Sequence, residues 1–178
     1  MRMNLLKRKG PRRTSSPVTK AGRGKGDKAT PRIKTIVVPT DFSAESLKAI
    51  RQASMLAKEF GAVLWLVHVV ERPPVLKESL AAGVLLSSEE LERSARVGLN
   101  AWARDEVDEL VPVHVDAREG KPFLEIVNAA KIHDADLIVI ATHGHTGLKH
   151  AYLGSTAERV VQHAPCPVLV VRAKEKAA

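Results

Sequence analysis

Apolar side chains follow two alternating patterns along residues 33–172. Short continuous runs of Val, Ile and Leu are typical of buried strands, and longer segments with an apolar residue every three or four positions are typical of helices. The runs predict strands at 33–39, 62–70, 111–117, 136–141 and 168–172. The periodic segments predict helices at about 43–60, 87–110, 122–133 and 155–163. Strands and helices therefore alternate along the whole segment.

Alternation of this kind predicts an α/β fold, because parallel strands are joined by right-handed helical crossovers. We expect an open, doubly wound, five-stranded parallel sheet with helices on both faces. The first strand is expected at the centre, and the third and fifth are the expected edges because of their polarity and length. In such sheets ligands bind at the carboxyl ends of the strands, where the strand order reverses.

Local signals delimit several of these elements. Ser43 is a predicted helix N-cap, because a periodic segment begins directly after it. Gly61 follows the last apolar position of that helix and predicts its end. Pro122 suits the first turn of the third helix. The connection between the second strand and the second helix, residues 71–86, is long and contains two prolines.

Charge separates the N-terminal segment from the rest of the chain. Residues 1–32 hold eleven Lys or Arg and one acid, Asp27, whereas the remaining residues are mildly acidic. We predict a basic disordered extension at 1–32, a domain at 33–172 and a charged tail at 173–178. The extension has two interpretations. The first is an arm that binds nucleic acid or an acidic membrane surface, and the second is a solvated extension. The second interpretation is favoured because no aromatic residues are interleaved for base stacking.

The chain offers no signal for export or membrane insertion. No run approaches the roughly 20 apolar residues of a membrane span, and the basic N-terminus lacks the apolar stretch of a secretory signal. Cys166 is the single cysteine, so an internal disulfide is impossible. A cytoplasmic location is the expectation.

Small residues dominate the segment that follows the fourth strand. It contains Gly144 and Gly147, and Gly154, Ser155 and Thr156 come next at a predicted helix start. Helix N-termini with free amides attract anions, so this segment suits a phosphate group. It matches neither the Walker motif nor the dinucleotide-binding glycine motif. The glycines could also serve only as turns.

The arrangement of the histidines, the cysteine and the carboxylates favours a binding module over an enzyme. His143, His145 and His150 lie in the same segment, but their spacing does not indicate a metal site. His68 is interpreted as a core histidine and Cys166 as a packing residue. No paired carboxylates lie near this segment, and no convincing nucleophile–base pair emerges.

Five segments together resemble a known family, the universal stress proteins (Usp). They are VPTDFS at 38–43, LVHV at 66–69, ATHGHTGL at 141–148, LGSTAER at 153–159 and HAPCPVLVV at 163–171. The resemblance covers residues 33–172 in one order. It implies a fold like that of adenine nucleotide alpha hydrolases, of the Usp type, and usually a homodimer. The apolar terminal strand, from Val168 to Arg172, is the expected dimer edge.

Some members of this family bind ATP and carry the pattern Gly-x2-Gly-x9-Gly-Ser/Thr. Here Gly144, Gly154 and Ser155 match it, and Ala141 replaces the first glycine. If that position requires a positive φ, alanine costs about 1 kcal/mol or more. If it requires only a small side chain, one methyl group is tolerable.

The resemblance implies a stress-response regulatory module that binds ATP with Mg²⁺. Asp41 would contact ribose or adenine, and Val69 would pack on adenine. The alternatives are that Asp41 only caps a turn, that Val69 is plain core and that Ser155 is an N-cap without a ligand. The implied ATP-binding residues are Pro39, Thr40, Asp41, Val69, Ala141, His143, Gly144, Gly154, Ser155 and Thr156. The rival functions are a nucleotide-free dimeric scaffold and a slow ATPase.

Overall fold

A computed structural model describes residues 33–71, 87–142 and 153–172. The predicted N-terminal extension, the C-terminal tail and most of the small-residue segment lie outside these ranges. The elements in chain order are β1 (Thr35–Pro39), α1 (Ala44–Phe60), β2 (Val63–Val70), α2 (Ser88–Glu106), β3 (Val113–Glu119), α3 (Pro122–Ile132), β4 (Leu137–Ala141), α4 (Ser155–His163) and β5 (Val168–Val171).

Within the described residues the sheet has five strands in the order β3-β2-β1-β4-β5, and every pairing is parallel. The chain adds strands outward from β1 to β3 and then returns to the other side of β1 for β4. The strand order therefore reverses between β1 and β4. The predicted fold class, the central first strand and the two edges are confirmed.

Both faces of the sheet are covered by helices. Ile36 and Val38 of β1 face a buried cluster that includes residues of α1 and α2, and Val37 faces a second cluster with residues of α3 and α4. These three side chains are fully buried. Because successive strand residues point to opposite faces, a central strand covered on both sides must be apolar at its buried positions, as β1 is from Ile36 to Pro39.

The predicted caps of α1 are confirmed. The Ser43 hydroxyl accepts a hydrogen bond from the Ser46 amide at 3.2 Å. Gly61 follows the helix with φ of 64°, a left-handed conformation that glycine adopts at low cost. Ser155 is different, because Gly154 is the N-cap of α4 and Ser155 is its first helical residue. The interpretation of Ser155 as the N-cap is therefore wrong by one position.

The boundary between α2 and β3 also differs from the prediction. The helix ends at Glu106, not near residue 110, because a turn forms at Asp108. The Asp108 carboxylate accepts the Leu110 amide at 3.0 Å, and the Asp108 amide donates to the Ser54 hydroxyl at 2.9 Å. Pro112 has no amide to donate, so the strand begins at Val113 and extends to Glu119.

A polar cluster lies between β3 and α3, on the face opposite α1. Asp116 Oδ2 accepts hydrogen bonds from His133 Nε2 and Arg118 Nε, both at 2.8 Å. The Trp65 ring stacks on His133 with centroids 3.6 Å apart. Burial raises the pKa of Asp116, but the bonds from His133 and Arg118 outweigh it and hold that pKa below its ordinary value. The ionised carboxylate therefore stabilises the fold.

Asp116→Asn is expected to lower the free energy of unfolding by about 2 kcal/mol at pH 7, because charged hydrogen bonds are lost. Since the folded-state pKa is depressed, the wild-type contribution is present above the unfolded pKa of about 4 and is lost as the pH falls through the folded value. Urea unfolding of both proteins from pH 7 down to pH 3 should show their free energies of unfolding becoming closer as the pH falls. Asp105→Asn, at an exposed carboxylate, is the control. Equal pH profiles for Asp116→Asn and wild type would contradict the prediction.

Candidate functional site

A cavity of about 390 Å³ opens at the carboxyl ends of the central strands. Its wall combines the ends of β1, β2 and β4 with the first turns of α3 and α4. This is the point where the strand order reverses, the usual ligand position in a doubly wound sheet. The described lining residues are Pro39, Thr40, Asp41, Ser46, Val69, Glu71, Pro122, Ile126, Ile140, Ala141, Thr142, Gly154, Ser155, Thr156 and Ala157.

Eight of the ten residues that the resemblance implied line this one cavity. They are Pro39, Thr40, Asp41, Val69, Ala141, Gly154, Ser155 and Thr156. The other two, His143 and Gly144, lie outside the described residues, as do His145 and His150. The structure thus brings together residues more than 100 positions apart in the sequence.

Sequence reasoning missed several lining residues. Glu71 and Thr142 come directly after β2 and β4, so their position one residue beyond a strand was a usable signal. Pro122 and Ile126 belong to the first turns of α3, which begins shortly after the carboxyl end of β3. Ile140 and Ala157 look like plain core in sequence, and no pattern distinguishes them.

The turn after β1 is held by hydrogen bonds on both sides of Asp41. The Thr40 amide donates to the Val67 carbonyl at 2.8 Å. The Thr40 hydroxyl accepts from the Phe42 amide, and the Asp41 carboxylate accepts from the Ser43 amide, each at 3.0 Å. Asp41 therefore does cap the turn, as one alternative proposed, and it also lines the cavity.

Phe42 adopts an unusual backbone conformation next to Asp41. Its φ is 61°, and large side chains rarely occupy this left-handed region. The ring lies 4.6 Å from the His68 ring and 5.2 Å, edge-on, from Trp102 between centroids. His68 Nδ1 donates to the Thr40 carbonyl at 2.8 Å. His68 therefore has the hydrogen-bond partner expected of a satisfied histidine, but it is only half-buried and not part of the core.

The backbone at Ala141 has an ordinary strand conformation. Ala141 is the last residue of β4 and pairs with Val171 of β5. Phe42 and Asp134 are the non-glycine residues with positive φ in the described part of the chain, so Ala141 is not among them. Its side chain is buried and belongs to the cluster on the α1 side of the sheet. The position therefore has no positive φ in this structure, and alanine carries no backbone cost here.

The N-terminus of α4 faces the cavity. Gly154 provides no side chain for capping, and its own amide donates to the Thr142 carbonyl at 2.8 Å. The amides of the first helical residues, 155 to 157, have no acceptor within the helix. Together with the positive end of the helix dipole they form a favourable place for an anion.

Two further sequence interpretations concern metals and Cys166. Within residues 33–71, 87–142 and 153–172, no group of three His, Cys, Asp or Glu side chains is arranged to hold a metal ion. Cys166 is half-buried against the cluster on the α3 and α4 side. Burial, and then the nearby Asp136, raise its pKa, which keeps it a thiol. This agrees with a packing role.

A model of the universal stress protein family matches residues 32–172. This chain belongs to the universal stress protein family. The universal stress protein MJ0531 of Methanocaldococcus jannaschii is 41% identical over 143 residues, which cover 80% of this chain and 84% of that protein. No helix within the described residues is long and apolar enough to cross a membrane.

Solved structures share the fold. The structure of protein MJ0577, from the same organism, superposes with a TM-score of 0.69 at 27% identity and covers 82% of this chain and 99% of that chain. A universal stress protein from Archaeoglobus fulgidus in complex with dAMP has a TM-score of 0.55 at 21% identity, covering 78% of this chain and 98% of that one.

Proposed function

We propose that this universal stress protein binds ATP, as its magnesium complex, in the cavity between β1 and β4. ATP would act as a regulatory ligand of the stress response and not as a substrate for turnover. The observation that carries the proposal is the first turn of α4, whose amides face a cavity with the volume of a small-ligand site.

The phosphate half of the ligand fits the α4 side. The amides of Ser155 and Thr156 and the exposed Ser155 hydroxyl are donors that match phosphate oxygens. Mg²⁺ would be held chiefly by the phosphates and water, which is its usual mode beside a nucleotide. Ala141 has strand geometry. Alanine in place of the first glycine of the family pattern therefore adds no backbone strain that would oppose this arrangement.

The nucleoside half fits the β1 and β2 side. Asp41 can accept a hydrogen bond from a ribose hydroxyl or an adenine amino group, since carboxylates accept only. Val69, half-buried at the end of β2, offers an apolar surface for a base. The relative from Archaeoglobus fulgidus that holds dAMP supports an adenine nucleotide in this fold.

A regulatory role is preferred to catalysis because of the groups on the described wall. The ionisable side chains there are Asp41 and Glu71. His68, a residue of β2, donates its Nδ1 proton to the Thr40 carbonyl. None of these forms a nucleophile–base pair.

A thermal-shift experiment tests the proposal. Saturating Mg-ATP should raise the melting temperature, because a ligand at 100 times its Kd stabilises the native state by about 2.7 kcal/mol. Inorganic triphosphate with Mg²⁺ is the control for phosphate contacts alone and should give a smaller rise. No rise at millimolar Mg-ATP would favour the nucleotide-free scaffold. Steady ATP turnover that is lost in Asp41→Ala would favour the ATPase.

We also propose a cytoplasmic homodimer in which β5 pairs with its copy. Among the described residues no strand lies on the outer side of β5. Its four residues are all partly exposed, and Leu169 is 38% exposed. An apolar edge with unpaired backbone groups favours pairing across a two-fold axis.

A further inference from the structure

Gly98 lies in the middle of α2, where glycine is unfavourable. Glycine in a helix interior costs roughly 1 kcal/mol relative to alanine. The contacts of this position supply a reason. A Cβ atom at Gly98 would lie 3.0 Å from Phe42 Cζ and 3.1 Å from Cε1, closer than ordinary contact. The missing side chain therefore makes a notch in α2 that the Phe42 ring fills.

The ring that fills this notch belongs to the strained residue of the β1–α1 turn. A left-handed conformation costs a residue other than glycine about 1 to 2 kcal/mol. Such a conformation persists only where the surroundings hold it, and strained residues cluster at ligand sites. Phe42 is held by the notch at Gly98 on one side and by the His68 and Trp102 rings on others.

Hydrogen bonds fix the residues on either side of Phe42 but leave its own side chain to packing. Thr40 is bonded to β2 through its amide and carbonyl, and Ser43 caps α1. Asp41 lies between these fixed points on the cavity wall. Its carboxylate accepts the Ser43 amide across Phe42, so its direction depends on the Phe42 backbone keeping the φ of 61° that places this amide.

We propose that Gly98 is a positioning residue for the nucleotide site, because its notch seats the Phe42 ring and thereby keeps Asp41 directed at the nucleoside. The inference rests on the proposed nucleotide binding. It assigns a role in ligand affinity to a helix residue that does not line the cavity.

The test is Gly98→Ala, measured by calorimetric titration with Mg-ATP and Mg-ADP. Displacing the ring by a few tenths of an ångström should shift Asp41, and we expect roughly a tenfold loss of affinity, since small misplacements weaken positioned contacts strongly. The loss should be the same for both nucleotides, because it acts on the nucleoside half that they share. The melting temperature of the free protein should change little, because the helix propensity gained with alanine offsets the cost of shifting the Phe42 ring.

Val97→Ala is the matched control. It changes the neighbouring residue of the same helix, also raises helix propensity and removes side-chain atoms that are 67% exposed. Its nucleotide affinities should equal those of the wild type. A merely structural role for Gly98 would move stability and affinity together, whereas the positioning role moves affinity alone.

A double variant tests the inference without relying on the folding of the Gly98→Ala protein alone. Phe42→Leu shortens the side chain that meets the new Cβ, so its loss and the loss of Gly98→Ala should not add in the Gly98→Ala/Phe42→Leu protein. Additive losses would overturn the inference. So would wild-type affinity in Gly98→Ala, and in that case the proposed function would stand. If the wild type binds neither nucleotide, the proposed function and the inference both fail.

Discussion

Ser155→Glu is expected to weaken Mg-ATP binding by about a hundredfold or more while leaving the fold intact. Two like charges about 4 Å apart near a protein surface repel by about 4 kcal/mol, and tenfold in affinity corresponds to about 1.4 kcal/mol. The new carboxylate would stand where the phosphates are proposed to lie. An acid in the first turn of a helix is otherwise stabilising, so the free protein should melt at the same or a slightly higher temperature.

Ser155→Gln is the control for this prediction, because glutamine has the size of glutamate without the charge. Calorimetry should show at most about a fivefold loss for Ser155→Gln, the equivalent of one neutral hydrogen bond. If both variants bind Mg-ATP equally well, the phosphates do not lie at the N-terminus of α4, and the orientation proposed for the nucleotide is wrong.

Leu169→Lys is expected to abolish the proposed dimer at micromolar concentrations. A lysine on an edge strand opposes pairing with another edge, and across a two-fold axis the two lysines would also repel each other. Sedimentation velocity of the wild type should show a dimer, and the variant should sediment as a monomer. Nucleotide binding by the variant should be retained, since Leu169 does not line the cavity.

Leu110→Lys provides the comparison for the dimer. Leu110 is 73% exposed and lies just before β3, at the opposite edge of the described sheet. The same change there should leave the dimer intact. A wild type that sediments as a monomer at all concentrations, or a dimer that Leu169→Lys does not disturb, would rule out assembly through β5.

The fold could be predicted from the sequence because its central strands are buried and its helices amphipathic. A central strand such as β1 must be apolar on both faces, so its position in the sheet is visible in its composition. The errors concern boundaries where side chains meet across long distances. The early end of α2 depends on a hydrogen bond between Asp108 and Ser54, residues that only the folded chain brings together.

The candidate site was predictable where a motif follows a strand and unpredictable where packing decides. Asp41 and Ser155 stand in recognisable local patterns, and both line the cavity. Ala141 lies within the strand predicted at 136–141, but no local pattern specifies its pairing with Val171. The strain at Phe42 depends equally on a distant residue, Gly98. The features of the site that the sequence could not predict therefore depend on contacts between elements.

The most direct measurement is a calorimetric titration of Mg-ATP into the wild type and into Ala141→Gly. Because Ala141 already has strand geometry and packs its methyl group in the core, replacing it by glycine should not raise the affinity for Mg-ATP. We expect saturable binding by both proteins, with affinities within about threefold, and a free energy of unfolding about 1 kcal/mol lower for the variant. No saturable heat from the wild type at millimolar Mg-ATP, or binding by Ala141→Gly alone, would contradict the account.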